Sequence, residues 1–221
     1  MPLRELFQRE GIPGCGAWWY SWIARRSPIL RDFYREVAEE VSSKISSGRI
    51  LDVGTGPGYL PLEIALKSEG LDIVGIDISP AMVDIARRNA AKRGYSERVQ
   101  FHTARASDLP FPDGYFDLAV SSFSFHHWLK PVDCMREISR VLKEGGEAWI
   151  YDFRRDTTEE EESQVRKRYG WFLSFLFLNI VRSHSSVTLR EVEKVLAAPE
   201  IGFSEKGVPG TGVVLKICLR K

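Results

Sequence analysis

The chain has almost no charge of one sign to spare. Its 31 lysines and arginines stand against 30 aspartates and glutamates, a net charge of +1, so no global field steers it toward nucleic acid or an anionic membrane. Cysteine is scarce too. Cys15, Cys134 and Cys218 share no metal or redox spacing, which excludes a cysteine-based metal or disulfide-exchange centre and leaves buried or incidental thiols. Long apolar runs are missing. Residues 171–181, Trp-Phe-Leu-Ser-Phe-Leu-Phe-Leu-Asn-Ile-Val, fall well short of the roughly 20 residues that span a bilayer, so no transmembrane segment is expected. Arg4, Glu5, Arg9 and Glu10 interrupt any apolar leader. A signal peptide is therefore not expected, and a cytoplasmic setting is the default expectation. Amides are rare, with only Asn89 and Asn179 and three glutamines beside 28% charged residues, a balance that leans toward a heat-adapted source.

What the chain does have is concentrated in residues 50–59, Ile-Leu-Asp-Val-Gly-Thr-Gly-Pro-Gly-Tyr. An apolar strand runs into a loop with glycine at 54, 56 and 58, and an apolar helical pattern follows from Leu60. Glycine lets the backbone turn sharply and lets a ligand lie against the main chain. The helix start offers N–H groups to that ligand. A second strand ends at Asp77, where a nucleotide-binding unit puts a carboxylate on ribose hydroxyls. These features predict a site for an adenosine-containing cofactor. The dinucleotide fingerprint would place its third glycine at position 59, where this chain has Tyr59.

Strand and helix patterns alternate. A helix is predicted from Ser27-Pro28 to about residue 47, with strands at 49–53, 71–76, 99–103, 116–121 and 147–153. Helices are predicted at 59–68 (ended by Gly70), from Ser79-Pro80 to Gly94 with Ser79 as its cap, and at 131–143. Near the end, Thr188-Leu189-Arg190-Glu191 is a capping box for a helix to about Ala198. Two strands then flank Val208-Pro209-Gly210-Thr211-Gly212. The alternation predicts an α/β fold, a mostly parallel sheet with helices on both faces. In such a sheet ligands bind beyond the carboxyl ends of the strands, where the glycine loop, Asp77 and a His126-His127 pair all fall.

The glycine segment, with Val74-Gly75-Ile76-Asp77-Ile78-Ser79, Leu109-Pro110-Phe111, Phe116-Asp117-Leu118, Phe125-His126-His127-Trp128 and Arg136 to Gly146, resembles the class I S-adenosylmethionine-dependent methyltransferases. The resemblance covers residues 49–153 and points to the small-molecule, ubiquinone/menaquinone-biosynthesis-like branch. It implies a Rossmann-like seven-stranded sheet ending in an antiparallel hairpin, and S-adenosylmethionine as cofactor. The reaction implied is methyl transfer to a small, partly apolar acceptor. A cofactor-binding partner subunit without activity is the alternative, with an NAD-type oxidoreductase behind it.

Carried over residue by residue, the resemblance implies cofactor contacts at Gly54, Thr55, Gly56, Gly58, Asp77, Ile78, Met82, Ala106 and Ser122, and no metal. Asp52, inside a strand, either orients the loop or holds the cofactor's amino group through water. Arg105 departs from the family, which usually has an aspartate there to read adenine; arginine cannot accept a hydrogen bond. The backbone at Ala106, Arg105 stacked on the ring, or Asp108 then reads the base. His126, His127 and Asp152 are each candidates for a catalytic base, and the sequence assigns none. Residues 1–48 are expected to form a helical and aromatic cap over the cofactor, with Tyr20 on its carboxylate. Residues 49–221 are the expected core, with a lid-like insertion at about 154–186. Glu159–Glu162 reads as a solvated helix face. A homodimer stays open, and no nucleic-acid partner is expected.

Overall fold

The structure, a computed structural model, describes residues 21, 26–176, 178, 186–209 and 212–221. Helix α1 (Pro28–Lys44) leads into β1 (Ser47–Val53), α2 (Tyr59–Lys67), β2 (Gly70–Asp77), α3 (Pro80–Arg93), β3 (Val99–Thr103), β4 (Phe116–Ser122), a short turn at Phe125–His127, α4 (Pro131–Val141) and β5 (Leu142–Phe153). Then follow α5 (Glu159–Tyr169), α6 (Trp171–Leu176), α7 (Leu189–Leu196), β6 (Glu205–Gly207) and β7 (Val214–Arg220). The seven strands lie in the order β3-β2-β1-β4-β5-β7-β6. The pairs from β3 to β5 are parallel, and β7 is antiparallel to both β5 and β6. This is the expected α/β sheet with its closing hairpin.

Because strand side chains alternate between faces, each strand feeds two cores. Ile50, Ile73, Leu118 and Trp149 pack with α1, α2 and α3 residues such as Val37, Leu62 and Val83. Leu51, Val53, Ile76, Ala119 and Ile150 pack with Met135 and Ile138 of α4 and Val192 of α7. Helix α1 is therefore a core layer, burying Leu30, Tyr34, Val37, Ala38 and Val41 at helical spacing. The Ser27 side chain caps it by accepting from Leu30 N. Strand order reverses between β1 and β4, and at such a switch point the loops diverge to leave a crevice.

Four local expectations need correction. Gly70 does not end α2: Ser68 does, in extended conformation. Gly70 starts β2, where a Cβ would lie 2.5 Å from the Ser46 carbonyl oxygen. Ser79 sits at the α3 cap position without a side-chain cap bond; Asp77 Oδ1 takes its backbone N–H at 2.8 Å instead. Helix α4 stops at Val141, and β5 begins at once with Leu142 paired to Phe116, before an irregularity shifts the register to Leu118–Glu147. Finally, Glu159–Glu162 is no simple solvated face. Glu161 closes a capping box with Thr158 and binds the buried Arg154 guanidinium at 3.0 Å.

Arg154 also holds Asp156 at 3.0 Å. Its neighbour Arg155 donates to the Ser186 carbonyl and pairs with Glu191 in the predicted capping box of α7. The insertion after β5 is thus fastened at both roots by charge-assisted bonds. Between them, Trp171, Phe172, Leu173 and Phe175 of α6 are exposed while Ser174 is buried.

Candidate active site

Strand β1 delivers the glycine loop to the crevice. Gly54 N and Thr55 N both donate to the Ile76 carbonyl at the end of β2, at 2.9 and 2.8 Å. The turn requires φ of +74° at Gly54, +51° at Gly56 and +79° at Gly58, the left-handed region that glycine enters freely. A Cβ on Gly54 would lie 2.4 Å from Ser124 Cβ and Oγ, whereas one on Gly56 would meet nothing within 4 Å. The first glycine permits contact between the β1 and β4 loops. The second faces open space, where a ligand can lie on the backbone.

That loop contact is a serine clasp. Ser121 Oγ donates to the Val53 carbonyl at 2.8 Å, and Ser124 Oγ donates to the same oxygen at 3.0 Å. The chain turns between them at Phe123, whose φ of +53° is costly for a bulky residue. Its ring, stacked 4.0 Å from that of Phe153 and 4.5 Å from Phe33, holds it there. Nothing local in the sequence marks Ser121, Phe123 or Ser124, because their partners are distant in the chain. Ser122, the residue expected here, is half-buried between them.

Two carboxylates flank the loop. Asp77 Oδ2 accepts from Gly56 N at 2.9 Å. With the Ser79 bond, two of its roughly four acceptor positions are taken and the rest are free for ribose hydroxyls. Burial raises its pKa above the ordinary carboxylate range, against the pull of those two N–H groups. Asp52 is 1% exposed, and neither of its oxygens, nor the Thr55 hydroxyl, has a hydrogen-bond partner among the described residues. Burial pushes Asp52 up to about 7; the nearby Thr55 hydroxyl eases this and the Asp77 charge adds to it. Buried polar groups are normally satisfied, so three orphaned oxygens beside an open glycine wall mark a place for a polar, cationic ligand. The residues present fit an adenosyl cofactor carrying an ammonium and a sulfonium.

The remaining predicted contacts are spread along the same edge. Ile78 is half-buried, and Met82 is 2% exposed within the core. Ala106 is half-buried in a turn closed by Asp108 N to the Arg105 carbonyl at 3.1 Å. The Asp108 side chain lies on the surface. Of the cap, Ser21 meets Tyr59 at the start of α2, its carbonyl accepting from the tyrosine hydroxyl at 3.0 Å. Residues 17–20 and Tyr20, Cys15, Phe177 and residues 179–181 lie outside the described residues. Cys134 and Cys218 are free thiols, raised by burial.

On the β4–β5 side, the structure joins two of the three base candidates. His126 Nδ1 lies 2.9 and 3.0 Å from the two oxygens of Asp152, which also takes the His126 backbone N–H at 2.8 Å. Asp152 is fully buried, and the His126 side chain is 6% exposed. The His127 ring packs at a tilt against that of His126, with centres 4.0 Å apart. Burial, then the neighbouring His126, lowers His127 to about 4. Among the described residues, no group of three His, Cys, Asp or Glu could hold a metal ion.

Residues 51–150 match the family model described as a methyltransferase domain. A protein from Methanococcus maripaludis, solved as a candidate S-adenosyl-L-methionine-dependent methyltransferase, superposes with a TM-score of 0.74 at 25% identity, over 96% of this chain and 95% of that one. Residues 51–150 are thus similar to methyltransferase domains, and the whole sheet is similar to a candidate S-adenosyl-L-methionine-dependent methyltransferase, a class whose cofactor is S-adenosylmethionine. Within the class, the chain is 38% identical over 120 residues to a demethylmenaquinone methyltransferase of Thermus thermophilus, covering 54% of each. It is also 38% identical over 108 residues to the ubiquinone/menaquinone biosynthesis C-methyltransferase UbiE of a Geobacter species, covering 48% of this chain and 46% of that one. The chain therefore spans about half the length of the curated relatives it matches.

Proposed function

We propose that this chain transfers a methyl group from S-adenosylmethionine to a small, partly apolar acceptor of quinone-like character. The observation that carries this reading is the open glycine wall at Gly56 between Asp77 and the unpartnered Asp52. Gly54, Thr55, Gly56 and Gly58 hold the methionine part, Asp77 the ribose hydroxyls, Ile78 and Met82 the adenine faces, and the Ala106 backbone the adenine edge. Ser122 lines the methyl side. When bound, the cofactor supplies a methyl group on a cationic sulfur, and the protein's task is alignment and exclusion of water. The quinone-like acceptor is supported by similarity to the Thermus and Geobacter enzymes.

The insertion after β5 covers that acceptor in this reading. It leaves the sheet at the edge where the methyl group lies. Trp171, Phe172 and Phe175 are 68%, 70% and 50% exposed, an apolar patch of the kind that marks a binding surface. Ser21 is fastened to Tyr59 at the start of α2. The test is transfer of labelled methyl from S-adenosylmethionine to reduced naphthoquinones, comparing the native chain with Phe175→Ser. The expected result is transfer by the native chain, and a loss of turnover of roughly tenfold or more in the variant at unchanged cofactor affinity and molecular mass, as for a gating segment. Dissociation of an oligomer at unchanged activity per subunit would make α6 an interface instead. No transfer to any acceptor, with cofactor bound, would favour the inactive partner subunit.

A further inference from the structure

The proposed function leaves open how the acceptor becomes nucleophilic, and the β4–β5 side of the crevice bears on that. His126 Nδ1 faces both oxygens of a fully buried carboxylate. A carboxylate accepts only, so the neutral ring carries its proton on Nδ1 and leaves the lone pair on Nε2. Nε2 is itself buried and without a partner among the described residues. Leaving such an atom unsatisfied is costly, and a histidine serving only to pack would not need it. Asp152 is committed as well. It takes the backbone N–H groups of His126 and Phe153 at 2.8 and 2.7 Å, so the ring is held in one orientation relative to β5.

We propose that His126 is the proton acceptor for the methyl-accepting group, with Asp152 as its positioning residue, and that the acceptor therefore presents a hydroxyl to Nε2. The inference rests on the methyl-transfer reading and deepens it. A neutral amine already carries the lone pair that attacks, and a thiol ionises readily by itself. A hydroxyl is the acceptor that gains from a built base. The O–H bond breaks, its proton moves to Nε2, and the electron pair stays on the acceptor to form the new bond to the methyl carbon. That bond forms at the oxygen or at a carbon conjugated with it. The S–CH3 bond breaks with its pair going to sulfur. The imidazolium, stabilised by Asp152, returns the proton to water. His127, neutral at ordinary pH, adds no charge against this protonation.

The experiment uses the whole chain saturated with S-adenosylhomocysteine and para-nitrophenol as probe, whose absorbance reports its ionisation. The expected result is that bound probe ionises at least tenfold more readily than in water. The effect disappears in His126→Gln and falls in Asp152→Asn, with S-adenosylhomocysteine affinity kept. Nitrogen NMR of the histidine rings should show His126 protonated at Nδ1 alone in the unliganded native chain, and at both nitrogens once the probe binds. Probe that stays neutral, that ionises equally in His126→Gln, or that does not bind overturns the proposal. So does a His126 proton on Nε2, which needs no variant to fold. Failure of S-adenosylhomocysteine itself to bind would instead overturn the cofactor reading.

Discussion

Asp52→Asn should make the cofactor-free protein more stable and its cofactor complex weaker. Asp52 is enclosed, its oxygens unpartnered, and its pKa stands at about 7 against 3.8 for a free aspartate. The folded chain therefore binds this proton more tightly than the unfolded chain does. Stability is unaffected where both forms are protonated, below about pH 4. It is lost progressively as pH rises toward 7, and the loss is complete above that. A difference of about three units corresponds to roughly 4 kcal/mol at most. Asparagine keeps the shape without the charge, so denaturant unfolding should show the variant gaining stability over that window and little below it. Its amide can use the orphaned Thr55 hydroxyl. The cost falls on binding, because a cationic ligand loses its counter-charge, about 1–3 kcal/mol for a charge-assisted contact. A variant no more stable than the native chain at alkaline pH would mean that Asp52 is paired or hydrated in solution. This is a trade of stability for function, of the kind binding sites commonly hold.

Gly54→Ala and Gly56→Ala should fail in different ways although they lie two residues apart. At Gly54 the new methyl would lie 2.4 Å from Ser124 Cβ, an atom tied directly to the backbone, so the β4 loop must move and the serine clasp on Val53 must open. Left-handed strain and overpacking together cost roughly 2–6 kcal/mol, and cofactor affinity should be lost as well. At Gly56 no atom lies within 4 Å, so only backbone strain of about 1 kcal/mol remains. There the methyl fills the ligand's space. Urea unfolding should thus separate the two, with Gly54→Ala strongly destabilised and Gly56→Ala nearly native in stability yet poor in cofactor binding. Equal stability of both variants would deny the contact between the β1 and β4 loops.

The parts of this molecule that were legible in its sequence are those whose constraint is local. Glycine at 54, 56 and 58 specifies left-handed backbone at those positions, and Asp77 follows the second strand at the spacing the fold requires. Strand and helix periods gave the order of elements as far as β5, and Thr188 to Glu191 announced its own helix. What escaped depends on distant partners. Ser121 and Ser124 look like ordinary polar residues until their hydroxyls meet Val53, 68 and 71 residues away. Phe123 is an improbable type for positive φ, and only the Phe33 and Phe153 rings hold it there. Gly70 resembles a helix stop by position, but its use is close approach to Ser46. Arg154 reads as one of many surface charges, yet it is buried and fixes two acids of the insertion. For the same reason, the sequence named His126 and Asp152 as separate candidates and did not join them.

The central claim is that the crevice between the β1 and β4 loops binds S-adenosylmethionine through its own residues. Isothermal calorimetry of S-adenosylhomocysteine, the demethylated product, against the native chain and Asp77→Ala tests it most directly, with NAD as the control titrant. The expected result is saturable binding to the native chain, none of NAD, and a loss of roughly 1–3 kcal/mol of affinity in the variant, the range of charge-assisted hydrogen bonds to a ribose. Binding of NAD without S-adenosylhomocysteine, or an Asp77→Ala dissociation constant equal to that of the native chain, would contradict it.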